Sequence, residues 1–513
     1  MPGRAVFRAA RHSSRMRNIS YAWSALGGDP ALAGRVAVTA RRGALQARLP
    51  VREAARACVA VCALAAAELG ARRAGLGRAP EVRGSGARAD DVRADEVRVP
   101  AVRVDDVRVP AVRVDDGAVA AAFTSERQLL VDGRAPVGFA PLSRFWRTAD
   151  GWVRTHANFP HHRERLLSAL GVRADGADGV DGVPRVEAAL AERSAREVEE
   201  TVYAAGGLAV AVRTPAEWAA HPQATEVAQR PLVERERLDT APARVLAPLH
   251  GTPLLPAAGL RVLDLSRVIA GPVATRTLAL LGADVLRVDP PQLPELPDQH
   301  ADTGFGKRSA VLDLRTGRRA FDDLLATADV VVTGYRPGAL DRFGLSAEAL
   351  AERRPGLVVA ELSAWGAYGP WRERRGFDSL VQAATGIAAT EGTPERPGAL
   401  PAQVLDHGTG HLLAAAVLRA LTEQSYDGCG RLVRVALART ARWLAEEVTA
   451  DATEAASSHA SQASSEDAGP WLAERDSPLG RLRYARPPVT FEDGPADWAR
   501  PPGRWGTDEA RWV

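Results

Sequence analysis

Lysine is nearly missing from this 513-residue chain: Lys307 is the one lysine among 66 basic residues, so arginine carries almost all the positive charge. An excess of either sign is missing too. Sixty-three acidic residues leave a net charge of +3, interspersed rather than in blocks, which removes the electrostatic case for nucleic acid as a partner. The three cysteines, Cys58, Cys62 and Cys429, are too few and too scattered for a disulfide framework and fit a reducing, cytoplasmic setting. Cys58 and Cys62 read as two small apolar residues on one helix face. No run reaches the roughly 18 to 20 consecutive apolar residues of a membrane span, so no membrane association is expected. The longest run, residues 57–69, is Ala-rich and flanked by charge, and reads as a buried helix. His161 and His162 follow Pro160 and read as a surface helix cap; a metal site there would need acids or cysteines that are not nearby.

What is present is the balance of a globular protein, 46% hydrophobic and 25% charged, at a length that calls for two or three folding units. Residues 1–78 read as a helical region, with Ala, Leu and Val at helical spacing from residue 20. Residues 79–116 are repetitive: Val97 to Asp106, VRVPAVRVDD, recurs unchanged as Val107 to Asp116. The recurring Pro100 and Pro110 argue against a central sheet position, so a charged, extended linker is expected. Residues 117–245 read as a small α/β domain, with a strand over 151–154, a helix over 161–170 and a longer one over 186–205. Residues 250–441 are the most regular. Strands at 261–265, 284–288, 310–314, 330–333 and 357–362 alternate with helices at 273–281, 317–326 and 347–352, which predicts an open parallel, Rossmann-like sheet with helices on its faces. Residues 442–475 read as a flexible linker and 476–513 as a tail.

Such sheets bind ligands at the carboxyl ends of their strands. The first strand is followed by Ala270-Gly271-Pro272 rather than a glycine-rich dinucleotide fingerprint. Asp406 precedes an apolar helix running to about Gln424, and by residue type alone an aspartate there is an N-cap more often than a catalyst.

Taken in order, Leu263-Asp264-Leu265-Ser266-Arg267…Ala270-Gly271-Pro272, Leu281-Gly282-Ala283-Asp284-Val285, Gly306-Lys307-Arg308-Ser309…Leu312-Asp313-Leu314, Arg336-Pro337-Gly338-Ala339-Leu340…Gly344-Leu345, Gly376-Phe377-Asp378…Val381-Gln382-Ala383 and Asp406…Gly410 form a set that resembles the family III coenzyme A-transferases, the CaiB/BaiF-like group. That group includes formyl-CoA transferase, carnitine CoA-transferases and α-methylacyl-CoA racemase. The resemblance spans about 180 residues. It implies an α/β large domain, coenzyme A entering as acyl-CoA, a small carboxylic acid as acceptor, no metal, and a homodimer. It carries the catalytic aspartate onto Asp406 and its active-site neighbour onto Asp378. It carries CoA-lining positions onto Val268, Ile269, Arg342, Arg375 and Phe377, with Lys307 as a further phosphate candidate. Gly408 to Gly410 are expected to offer N–H groups to an oxyanion. Ile269 stands where formyl-CoA transferase has glutamine, and Phe377 where the racemases carry a catalytic histidine. The implied reaction is acyl-CoA:carboxylate CoA transfer through an aspartyl anhydride and an aspartyl-CoA thioester. The alternatives are an acyl-CoA racemase or isomerase and a CoA-binding protein without transfer activity. Because the segment similar to the family's small domain precedes the large one, a permuted or half-duplicated order is expected.

Overall fold

The computed structural model describes residues 16–75, 108–173, 182–244, 246–393, 395–451 and 468–513. Its centre is a seven-stranded sheet with spatial order Arg308–Val311, Asp284–Asp289, Arg261–Leu265, Val330–Thr333, Val358–Ser363, Arg431–Ala436 and Glu234–Arg237. The first six strands are parallel and the last is antiparallel. Most of these strands are buried on both faces, and Val330–Thr333 is buried throughout, as expected where helices cover both sides. The expected strand over 310–314 lies earlier, at Arg308–Val311, because Leu312 already leaves the ladder that pairs Val311 with Asp289. Glu234–Arg237 had no strand pattern, since all four side chains are charged; it closes the sheet as an edge strand with three of its four residues exposed, where charge is tolerated.

One long helix crosses a face of this sheet, and a second packs along the first. Val404–Asp427 is buried from Val404 to Thr422, and Val51–Gly75 packs along it. By length and composition the second could cross a membrane, but 94% of its most apolar stretch is buried inside the protein. Cys58 and Cys62 are free and fully buried in it.

Several expected boundaries move. The helical region is interrupted by a strand, Val36–Thr39. Residues 79–107 of the expected linker lie outside the described residues, but the end of the repeat is folded: Val112–Asp115 pairs parallel with Val36–Thr39 and antiparallel with Thr490–Phe491. Here Pro110 sits just before the strand rather than in it, so the ladder loses no donor. The helix expected over 186–205 is two, Val183–Ala191 and Ala195–Ala204, broken where the Ser194 hydroxyl accepts from the N–H of Glu197 as an N-cap.

Residues 142–211 carry an apolar cluster of their own, where the antiparallel strands Phe145–Arg147, Trp152–Thr155 and Ala209–Ala211 meet the helices around Leu166, Val186 and Val202. The ends of the expected flexible linker are ordered: Trp443–Glu447 is a helical turn and Leu472–Ser477 a strand. Nor does the tail trail away. Leu472–Ser477 and Gly480–Ala485 form a hairpin that adds Leu130–Val131. Trp498 packs on Phe305 at 5.0 Å and donates to the carbonyl of Arg276 (2.8 Å).

Candidate active site

At the carboxyl ends of the central strands, a cleft of about 790 Å³ opens between the sheet and the 142–211 unit. Leu265, Gly334 and Ser363 line it from the sheet, Phe159, His161 and His162 from the other side, and Asp406 reaches it from the long helix.

Asp406 is the third residue of the Val404–Asp427 helix, not the residue that caps it. The first amides of a helix have no partner within it, and here Asp378 supplies one. Its Oδ2 accepts from the N–H of Asp406 (2.9 Å) and the carboxylate also takes the N–H of Leu405. Gln382 donates to Oδ1. Asp378 is fully buried and does not line the cleft; its expected place as an active-site neighbour is therefore behind Asp406, holding the helix that carries it. Burial lifts the Asp378 carboxyl to about 6 against the pull of those donors. Asp406 is pushed well above the ordinary carboxylate range, first by burial and then by the charges of Asp378 and Glu126.

Glu126 is absent from the sequence reading. A lone glutamate 280 positions upstream, on the short helix Ser125–Gln128, carries no local signal. Its Oε2 lies 3.1 Å from His407 Nε2. Burial raises its carboxyl, but the bond to His407 outweighs that and holds it below the usual range. Phe123 stacks on His407 and on His411 at 5.3 and 5.8 Å, so the same segment braces the back of the helix.

Of the other expected positions, Val268, Ile269, Arg342, Arg375 and Phe377 all line the cleft. Val268 adopts φ +71, a left-handed conformation costly for a β-branched residue, and its N–H is held by Glu295 Oε2 at 3.0 Å. Arg336, Arg342 and Arg375 have no carboxylate partner among the described residues, so three guanidinium charges face the cleft uncompensated. Lys307 does not take part. It is buried beneath the strand ends, with Nζ 3.0 Å from Asp264 Oδ2 and 2.9 Å from the carbonyl of Pro272. Burial lowers it to about 8 although Asp264 opposes this; it is a structural ion pair out of reach of a ligand.

Gly408 and Gly410 lie inside the helix, where their amides are used by the helix itself. A Cβ on Gly410 would stand 2.5 Å from the carbonyl oxygen of Ala270, so the glycine admits the neighbouring Ala270–Leu280 helix rather than a substrate oxyanion. His161 and His162 are no surface cap either. Their rings are 4.1 Å apart at the cleft wall, and burial keeps His162 near 2 and lowers His161. Phe377 stacks face to face on His156 at 3.7 Å, and burial followed by Arg154 holds that histidine at about 3. Among the described residues, no group of three or more His, Cys, Asp or Glu is arranged to hold a metal ion.

Residues 257–476 match the profile of CoA-transferase family III. The match covers less than half of the chain. The chain is 37% identical over 201 residues to a probable fatty acyl-CoA transferase of Mycobacterium tuberculosis, covering 36% of this chain and 51% of the relative. It is 35% identical over 193 residues to the formyl-CoA:oxalate CoA-transferase of Streptomyces coelicolor, covering 35% and 47%. A solved CaiB/BaiF family protein of Brucella suis is 30% identical, with 44% of this chain and 65% of that chain covered and a TM-score of 0.34. The chain spans about half the length of the curated relatives it matches.

Proposed function

We propose that this chain is an acyl-CoA:carboxylate CoA-transferase in which Asp406 is the covalent carrier. One observation supports the reading above the rest: a buried carboxylate, with no cation beside it among the described residues, opens onto a cleft that also presents Arg336, Arg342 and Arg375. In this reading the arginines take the CoA phosphates, for which the planar guanidinium fork is suited. An Asp406 oxygen attacks the thioester carbonyl of the donor, the C–S bond breaks, and CoA leaves as thiolate with an acyl-aspartyl anhydride on the protein. The thiolate then attacks the aspartyl carbonyl, releasing the donor acid as carboxylate and leaving aspartyl-CoA thioester. The acceptor carboxylate reverses the two steps. Covalent catalysis divides one hard exchange into easier ones, and a carboxylate kept poorly ionised is the more nucleophilic once it is ionised.

Intact-protein mass spectrometry after incubation with a panel of acyl-CoAs, with and without hydroxylamine, tests this. The expected result is a hydroxylamine-sensitive adduct that maps to Asp406 and disappears in Asp406→Ala. CoA binding without any adduct would leave a binding protein without transfer activity.

A second reading rests on His161 and His162 at the cleft wall. They place imidazoles beside a cleft where Phe377 itself has no proton to exchange, which is the arrangement an acyl-CoA racemase or isomerase needs. Deuterium entering the α-carbon of an acyl-CoA in heavy water, with no transfer to an added acid, would favour it.

A further inference from the structure

Two stretches of this chain follow the same plan. In the family III segment, strand Val358–Ser363 leads through short helices to the long helix Val404–Asp427; strand Arg431–Ala436 follows, parallel to the first, and runs directly into the helix Leu437–Arg442. Near the N-terminus, strand Val36–Thr39 leads to the long helix Val51–Gly75; strand Val112–Asp115 follows, parallel to the first, and runs directly into the helix Asp116–Phe123. Sequence agrees where structure does. Val112-Arg113-Val114 stands where Val433-Arg434-Val435 stands, and Val51-Arg52-Glu53 opens its helix as Val404-Leu405-Asp406 opens the other. The sixth residue of each long helix ties it to the short helix beyond the second strand: Thr409 to Thr440 (2.7 Å) and Arg56 to Asp116 (2.8 Å).

The two stretches also face each other reciprocally. Their long helices run side by side in one direction, with Cys58 beside Gly408, Glu68 bonded to Arg419 and Arg72 bonded to Ser425. The segment after each second strand crosses to the start of the other's long helix. Glu126 reaches His407 in one direction (3.1 Å). Asp451 reaches Arg56 in the other (3.4 Å), and its N–H donates to Glu53 Oε1 (3.4 Å). Reciprocity of this kind is the mark of a two-fold pair, in which whatever one member gives it also receives.

We infer that residues 36–75 and 108–128 are a degenerate second copy of the elements between Val358 and Asp451, that the two copies form an internal pair in place of two separate chains, and that Asp406 is the working carboxylate of the pair while Glu53 is a closed one. Glu53 occupies the position of Asp406, yet it is bonded to Arg52 at 2.6 Å within a buried cluster that includes Arg56, Asp116 and Asp451. It lines no part of the cleft. A carboxylate held by a guanidinium in this way is neutralised and shielded, and the nucleophilic role requires the opposite. The copy still serves the working site by supplying Glu126.

The assignment of a working site rests on the transfer reading above; the internal pair does not. Sedimentation velocity of the full chain, calorimetric titration with CoA itself, and the pH profile of adduct formation test them separately. The expected results are a single-chain particle at every concentration, one CoA per chain, and an adduct on Asp406 alone. Glu126→Gln is expected to shift the adduct profile to lower pH by removing a negative charge near Asp406, while Glu53→Gln leaves it in place. A stable two-chain particle, two CoA molecules per chain, or an adduct on Glu53 would overturn the inference. A single-chain particle that binds no CoA would sink the transfer reading and leave the internal pair standing.

Discussion

Asp406 meets three influences that oppose its ionisation, namely burial, Asp378 and Glu126, and each can be altered singly. Because only the carboxylate attacks a thioester, adduct formation under the proposed transfer mechanism is expected to rise with pH through the elevated pKa of Asp406. Asp378→Asn keeps an acceptor for the N–H of Asp406 but deletes the neighbouring charge, so the pH midpoint of adduct formation is expected to fall; rapid-quench mass spectrometry across pH 4 to 9 reads this out. Stability responds as well. Asp378 has an ordinary value of 3.8 in the unfolded chain and about 6 in the folded one. Between these values the folded state holds the proton more tightly, so the contribution of this group is full at low pH and is lost as pH rises, by up to about 1.4 kcal/mol per pH unit. Urea unfolding at pH 4.5 and 7 is expected to show that loss in the wild type and a smaller one in Asp378→Asn. At this scale the sequence was only partly legible. Six ordered sequence fragments single out Asp406, which lines the cleft. Lys307 was misjudged because its solitude in the composition says nothing about burial, and Glu126 was invisible because its partner is 281 residues away.

Among the elements, the long helix beginning at Val404 depends on two glycines with opposite tolerances. Gly408→Ala would place a Cβ 3.4 Å from Cys58 Sγ, an ordinary contact, and is expected to gain up to about 1 kcal/mol from helix propensity. Gly410→Ala would meet Ala270 O at 2.5 Å and Val273 Cβ at 2.9 Å, both backed by an immobile helix. It is expected to cost about 2 kcal/mol or more by overpacking, and to weaken CoA binding because Ala270 lines the cleft. Denaturant midpoints of the two variants separate these outcomes. Arg56 makes a bidentate buried bond to Asp116; Arg56→Met, which leaves that carboxylate with the Arg41 N–H (3.0 Å) and Arg52 at 3.8 Å, is expected to cost about 3 kcal/mol in the same assay. Elements with a strong period were readable in advance. Val330–Thr333 is where its three valines and a threonine, all β-branched, put it, and the helix at Arg318–Leu325 sits within its expected span. The strands that escaped, Arg431–Ala436 and Glu234–Arg237, are interrupted or filled by charge, and what makes them strands is their neighbours in the sheet.

At the scale of the whole molecule, the expected order of segments concealed how they interleave. The C-terminal tail resembled an appendage in sequence because its tryptophans are spaced by Pro and Gly, yet Trp498 is buried against Phe305 and Tyr484. Trp498→Ala is expected to cost about 3–5 kcal/mol, measured as a lowered denaturant midpoint with the slope unchanged. The three arginines at the cleft act over longer range. Affinity for CoA is expected to fall as salt rises, and Arg342→Ala to lessen that dependence; titration at two ionic strengths decides it.

The small sheet around Val112–Asp115 takes its three strands from residue 36 onward, residue 112 onward and residue 490 onward. A ribosome delivers those strands at widely separated moments. The first two can pair early, but the third, like the hairpin and Trp498, emerges only after every strand of the seven-stranded sheet has been made. The emergence of residues 472–498, more than that of any earlier segment, therefore sets when this small sheet can finish closing, and until then Val112–Asp115 keeps an open edge.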